Sequence, residues 1–398
     1  MHTNAFFSFR SWRHLLRCLL ALSFLLATVS GLRAEEESLP APVQKALYEA
    51  GQAMEAKKYG EAEKILVQYG REHADAPHYL VEFFLGNALA LQSRHAEAVR
   101  HYTACTELKA DYAPAWQNLG KSAHDQGDHS RAGSALVRAY ELTGKKNSEL
   151  LFQASGCFIL GKDEKKALPH LEHLASGAAG KPKPEWQEAL IKVCMDLGQE
   201  KKAAQAVQGL LSTSENDPKW WKLLAQIQTR MSDYKNALVA WEVYTSLAAP
   251  TPEELVLMGE LYAAIGVPAK AAQSYEKALP HKSCATLREK LANAHLAAHQ
   301  PSKAVAVAEA AVKTQPTAGL WQVLGRALFE LGEYGQASNA FEQSARLNPK
   351  DGRSHLMRGY CALRLRDKGM ALASLEQARK FPASRSQAEQ LLKAATNL

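Results

Sequence analysis

The sequence predicts an all-α protein: a right-handed superhelical α-solenoid of about ten helix pairs, closed by a C-terminal capping helix. Three observations predict it. A small residue returns at Ala62, Ala98, Ala132, Ala167, Ala203, Ala237, Ala271, Ala304, Ala337 and Ala371, in steps of 36, 34, 35, 36, 34, 34, 33, 33 and 34 residues. A larger apolar residue stands four places after most of them: Leu66, Tyr102, Leu136, Leu171, Val207, Trp241, Tyr275, Phe341 and Leu375. Gly86, Gly120, Gly259, Gly325 and Gly359 share one place upstream, and Gly127, Gly198, Gly266 and Gly332 punctuate the middle of their repeats. A fixed period of this length marks one supersecondary element that cannot bury its apolar face alone and stacks on its neighbours.

The first 34 residues stand apart from this pattern. Arg10, Arg13 and Arg17 precede an apolar run from Cys18 to Gly31, and small residues follow before Glu35. That is the layout of an export signal. The apolar core is shorter than the ~20 residues a helix needs to span a bilayer. Cleavage can follow Gly31 or Ala34; taking Ala34, the mature chain starts at Glu35. Removing residues 1–34 takes away Arg10, Arg13, Arg17 and Arg33 and no acid, so the formal charge falls from +7 to +3. The basicity belongs mainly to the signal, which removes the chief support for nucleic-acid binding. No later apolar run has the length of a membrane span. The mature protein is therefore expected to be soluble, and periplasmic or secreted.

Residues 35–42 read as a linker, 43–183 as repeats 1–4, 184–382 as repeats 5–10 and 383–398 as the capping helix. First helices start near Val43, Tyr79, Ala113, Ser148, Pro184, Pro218, Pro252, Ala285, Ala318 and Gly352. Glycine and alanine let two helix backbones approach, while the large residues fill the space that remains. "ASGAAGKPKPE", residues 175–185, is a Gly/Pro/Lys-rich insertion that reads as a long turn or a joint. Pro169 falls inside a second helix and is expected to kink or shorten it. Pro268 and Pro301 sit at helix starts, where a missing N–H is harmless.

The order Trp–Leu–Gly, then Tyr, Ala, Phe and Pro, over about 34 residues resembles the tetratricopeptide repeat family. A narrower likeness lies in "KWWKLLAQIQTRMSDYKNAL" (Lys219 to Leu238) and "LYAAIGVPAKAAQSYEK" (Leu261 to Lys277). These resemble segments of bacterial periplasmic tetratricopeptide proteins associated with TonB–ExbB–ExbD energy-transduction systems. The resemblance implies a scaffold whose inner face is lined by first-helix residues that do not pack. Carried onto this chain, those are Asn87, Lys121, Lys192, Gln226, Arg230, Glu260, Asn293, Arg326 and Tyr360, and repeats 5–9 are the expected contact region. Their mixed charge suits an extended peptide. The Lys/Asn/Arg clamp for a terminal carboxylate found in chaperone-binding members does not recur: after Lys222 and Gln226 the next repeat offers Leu257. Trp186 and Trp220 occupy one shared place in neighbouring repeats. Packing is one reading of them, and an aromatic anchor for a partner is the other.

Catalytic and metal signatures are missing. After the signal, five cysteines remain, Cys105, Cys157, Cys194, Cys284 and Cys361, none in CxxC spacing. Most fall in helical patterns and read as small core residues. His170 with His173, and His295 with His299, put imidazoles on one helical face but lack a third ligand at a recognisable spacing. No phosphate loop, GxGxxG or GxSxG occurs. The function expected is a non-enzymatic envelope adaptor with protein partners, TonB, ExbB or ExbD components among them, and no cofactor, metal or nucleic acid. The alternative is a glycan- or cell-wall-associated factor, which exposed tryptophans on the inner face would favour.

Overall fold

The computed structural model describes residues 39–398; the stretch 1–34 expected to be an export signal and the start of the expected linker lie outside them. Among the described residues there are 21 α-helices and no strand. They run as ten antiparallel pairs and a closing helix. Repeats 1–3 are α1 (Ala41–Glu55) with α2 (Tyr59–Glu72), α3 (Tyr79–Leu91) with α4 (His95–Leu108), and α5 (Ala113–Gln126) with α6 (His129–Leu142). Repeats 4 and 5 are α7 (Ser148–Leu160) with α8 (Glu164–Ala175), and α9 (Pro184–Asp196) with α10 (Glu200–Leu211). Repeats 6–8 are α11 (Pro218–Arg230) with α12 (Tyr234–Leu247), α13 (Pro252–Ala264) with α14 (Pro268–Ala278), and α15 (Ala285–Ala297) with α16 (Pro301–Thr314). Repeats 9 and 10 are α17 (Ala318–Glu330) with α18 (Tyr334–Leu347), and α19 (Gly352–Leu365) with α20 (Lys368–Arg379), before α21 (Pro382–Thr396). The fold is an α-solenoid, and within each of its two units every helix packs on its sequence neighbours.

Two compact units divide the chain, the first ending at Thr213 and the second comprising Ser214–Leu398. The first holds repeats 1–5, the second repeats 6–10 and α21. The Gly/Pro/Lys-rich insertion lies inside the first unit, where Gly177 (φ +85°) and Gly180 (φ +108°) shape the connection from α8 to α9. The helical part of the chain starts slightly before the frame read from sequence, since α1 opens at Ala41, inside the 35–42 linker.

The turn inside every pair is built alike. One residue takes the left-handed backbone that ends a helix and reverses the chain. Glycine fills it at Gly127, Gly198, Gly266 and Gly332, with φ of 89°, 67°, 77° and 83°. In the other six repeats Lys57, Ser93, Lys162, Ser232, His299 and Arg366 take the same conformation, at φ between 56° and 61°.

The aligned alanines Ala62 through Ala371 are wholly buried. The first-helix glycines face the larger residue of their own second helix. A Cβ at Gly86 would lie 2.7 Å from Tyr102, at Gly120 2.6 Å from Leu136, and at Gly325 2.7 Å from Phe341. Such a contact is too close for any real side chain, so glycine is what allows the ring to sit down. Repeat 5 inverts the pairing: Ile191 stands in the glycine's place and the smaller Val207 opposite it, both buried.

Pro169 lies inside α8, as the sequence indicates. Helix α8 runs through it without interruption to Ala175. Pro169 is exposed, so the Lys165 carbonyl that loses its bonding partner faces water. At the C-terminus, α21 packs Ala388 and Ala395 against Leu356, Leu375 and Ala378, closing the apolar end of repeat 10.

Candidate partner-binding face

First helices lie side by side within each unit, and their polar residues meet from one repeat to the next. In the first unit Asn87 on α3 is a junction: its Oδ1 accepts from Tyr102 Oη at 2.7 Å and from Asn118 Nδ2 of α5 at 2.8 Å. Lys121, one turn beyond Asn118, is half-buried, and burial lowers its pKa against the opposing pull of Asp125. Lys192 bonds Asp196 a turn along its own helix. Further back, Lys183 and Glu149 join the starts of α9 and α7 at 3.4 Å.

The second unit carries a longer row. Lys222 on α11 meets Glu254 on α13 at 2.5 Å, and Tyr244 Oη donates to the same carboxylate at 3.2 Å. Glu254 also accepts from the Thr251 backbone at 2.9 Å, completing a capping box at the start of α13. Lys282 holds Glu253 at 2.9 Å and keeps its carboxyl below the ordinary range. Glu260 on α13 pairs with Lys290 on α15. Arg326 Nη1 on α17 donates to Asn293 Oδ1 on α15 at 3.3 Å, while Asn293 Nδ2 donates back to the Glu289 carbonyl at 3.0 Å. Gln322 Nε2 reaches Asp351, ahead of α19, at 3.1 Å.

The residues proposed from sequence as groove contacts differ in exposure and in the bonds they make. Asn87, Lys192, Glu260, Asn293 and Arg326 bond protein neighbours, most of them in the adjacent repeat. Arg230 is exposed at the end of α11, Gln226 is partly exposed one turn earlier, and Tyr360 lies partly exposed over the last apolar cluster. What sequence reasoning missed are the partners: Asn118, Lys222, Glu254 and Lys290. A search one turn before or after each candidate position reaches Lys222 and Asn118, because residues three and four apart share a helical face.

The aromatic-anchor reading of Trp186 and Trp220 is corrected. Trp186 is 1% exposed and Trp220 6% exposed, so neither ring is offered to a partner. Phe152 packs on Trp186, and Lys183 and Lys219 lie over the outer faces of the two indoles, at 5.1 and 4.0 Å from the ring centroids. Two of the partly exposed tryptophans are also engaged by hydrogen bonds. Trp116 Nε1 donates to the Ala110 carbonyl at 2.9 Å and Trp221 Nε1 to Glu215 at 2.6 Å, each pinning the loop that enters its repeat.

The two histidines of α8 and four of the cysteines are built into the packing. His170 stacks on Phe158, and burial lowers its pKa; the His173 ring lies 3.3 Å from Tyr140 Oη. Cys105, Cys157 and Cys361 are enclosed and their thiols pushed up to about 12, and that of Cys194 to about 11, by burial. Thiols held that high carry almost no thiolate near neutral pH. Among the described residues no group of three or more His, Cys, Asp or Glu is placed to hold a metal ion, and no helix is long and apolar enough to cross a membrane.

Comparison with known proteins agrees with the repeat frame. Residues 113–146 and 323–388 each match the tetratricopeptide repeat family. Mouse tetratricopeptide repeat protein 21B is 31% identical over 143 residues, 34% of this chain and 11% of that protein. Protein FlbA of Caulobacter vibrioides is 27% identical over 185 residues, 46% of this chain and 31% of that protein. The chain therefore spans about a tenth and about a third of these two relatives. Among solved structures, YrrB, described as a TPR protein with an unusual peptide-binding site, aligns with a TM-score of 0.40 and 18% identity, covering 49% of this chain and all of that one. Tetratricopeptide proteins act as protein–protein interaction scaffolds. Residues 113–146 and 323–388 are thus matched as tetratricopeptide repeats, and the same buried frame recurs from Ala62 to Ala371.

Proposed function

We propose that the protein is a non-enzymatic scaffold of the cell envelope that binds an extended segment of a partner protein on the first-helix face of its second unit. The observation that carries this reading is the polar row on α11, α13, α15 and α17, where Arg230, Glu260, Asn293 and Arg326 occupy neighbouring helices. Stacked repeats present such residues at regular intervals, as an extended chain requires. Arginine can bond a carboxylate in two places, and asparagine matches a peptide backbone. The enclosed indoles of Trp186 and Trp220 favour peptide over glycan.

Export is part of the proposal. Arg10, Arg13 and Arg17 ahead of the apolar stretch support a signal cleaved after Ala34. The stretches at 219–238 and 261–277 support an accessory place in a TonB-type energy-transduction complex. Replacing Arg230, Asn293 and Arg326 together by Ala is expected to cut capture of the partner at least tenfold, with helicity unchanged. The partner is found by affinity purification from envelope extract and mass spectrometry. Full capture by the folded triple variant removes this face. Deletion of the gene is expected to impair energy-dependent uptake across the outer membrane; normal uptake without a paralogue removes the TonB-type role. Intact mass of the exported chain checks the start at Glu35, and retention of residues 1–34 overturns it.

A further inference from the structure

Glu289 differs in its charge accounting from the paired carboxylates beside it. It lies on α15, one turn before Asn293, in the polar row just described. On this face Glu253 has Lys282, Glu254 has Lys222 and Glu260 has Lys290. Glu289 has no cation and no hydrogen-bond donor, though it is half-buried, and burial alone raises its carboxyl pKa. The nearest helix start, that of α17, makes no hydrogen bond to it. Helix α17 is capped by its own Thr317, whose hydroxyl accepts from the Leu320 N–H at 3.1 Å.

The second observation is the residue opposite. Glu289 lies over Gly319, the second residue of α17: a Cβ there would stand 2.5 Å from the Glu289 carboxyl carbon and closer still to its oxygens. Glycine inside a helix is less favourable than alanine, because it gives up more backbone freedom on folding. An unpaired, half-desolvated carboxylate is also unfavourable. Two costly choices meet at one place, and together they keep an open carboxylate against bare backbone. A methyl at 319 would push the carboxylate aside, because the carboxylate itself fills the space that glycine leaves.

We propose that Glu289 and Gly319 form a subsite for a lysine or arginine side chain of the partner polypeptide bound on this face. The proposal rests on the peptide-binding reading above and deepens it: the partner segment carries a cation that reaches Glu289. Arg326, bonded to Asn293, adds a positive group to the same polar row. The segment recognised therefore has a basic residue and not a uniformly basic run, which Arg326 would repel.

The test uses an array of synthetic dodecapeptides probed with the full chain. Peptides with one central Lys or Arg are matched to peptides with norleucine there, with flanking residues varied. The wild-type protein is expected to retain the Lys and Arg peptides about tenfold better than their norleucine partners. Glu289→Gln is expected to abolish that preference while still retaining neutral peptides, and to melt no lower than wild type, since a desolvated charge is removed. Gly319→Ala is expected to weaken the preference too. Glu330→Gln, changing an exposed acid at the end of α17, should leave it intact. An unaltered preference in folded Glu289→Gln, or retention by wild type that ignores the basic residue, overturns the subsite and leaves the peptide-binding face standing. No retention of any peptide overturns both.

Discussion

Ten residues reverse the chain inside the repeats, and six of them are not glycine. A side chain in the left-handed region costs roughly 1 kcal/mol, which glycine avoids. Ser232→Gly and Lys162→Gly are therefore each expected to raise stability by about 0.5–1 kcal/mol, while Gly332→Ala lowers it by a similar amount; urea unfolding measures all three. No gain in either glycine variant would show that backbone strain there is relieved by other means. The first-helix glycines obey a different constraint, because their φ values are helical and only space is at stake. Gly325→Ala drives a methyl into Phe341 and is expected to lose about 1–3 kcal/mol. Adding Phe341→Leu should recover part of that loss, whereas two independent losses would simply add.

At the scale of the helix, the wholly buried alanines set the approach between partners. Ala237→Leu or Ala271→Leu places three carbons where 0% of the residue is exposed, and is expected to cost about 1–3 kcal/mol, read as a lower Tm. Unchanged melting in both would break the register on which every assignment stands. The closing helix gives a second case. If α21 covers on the order of 100 Å2 of apolar surface, truncation after Phe381 costs about 2–3 kcal/mol and leaves Leu356 and Leu375 open to water. Increased binding of a hydrophobic dye by the truncated protein checks this. A helix pair has no edge that satisfies itself, so the last pair needs a cover with a polar outer face.

Across the whole molecule, four histidines share one electrostatic bias. Burial first, and a nearby cation or histidine second, lowers the pKa of His78 and His170 below the ordinary 6.5. Burial also leads for His124, where Asp125 opposes it, and for His355, where Arg358 adds to it. The unfolded chain thus takes protons at a higher pH than the folded one, so stability is fully present above about 6.5 and falls as pH drops through it. The Tm is expected to be flat from pH 8 to 7 and to decline between about 6.5 and 5. That window lies above the one in which the paired carboxylates titrate. A Tm independent of pH down to 5 would show that these imidazoles remain as solvated as in the unfolded chain.

The alternation of small and large residues determined the class, the repeat length and nearly every first-helix start without reference to coordinates. First helices begin at Tyr79, Ala113, Ser148, Pro184, Pro218, Pro252, Ala285, Ala318 and Gly352, the places where the period puts them. This was legible because close packing of helix pairs constrains residue size locally and repeats the constraint every turn of the array. The face was less legible. Sequence could list Asn87, Glu260, Asn293 and Arg326 as non-core, yet a side chain's partner in the next repeat lies about thirty residues away, at a distance set by helix rotation. Trp186 and Trp220 show the same limit, since an indole's exposure depends on what packs over it. Glu289 shows it most sharply: neither its missing partner nor its contact with Gly319 is written in one helix. Local size and periodicity decide which helices form and pair, while the pairing and burial of charge depend on three-dimensional neighbours and were decided only by the tertiary structure.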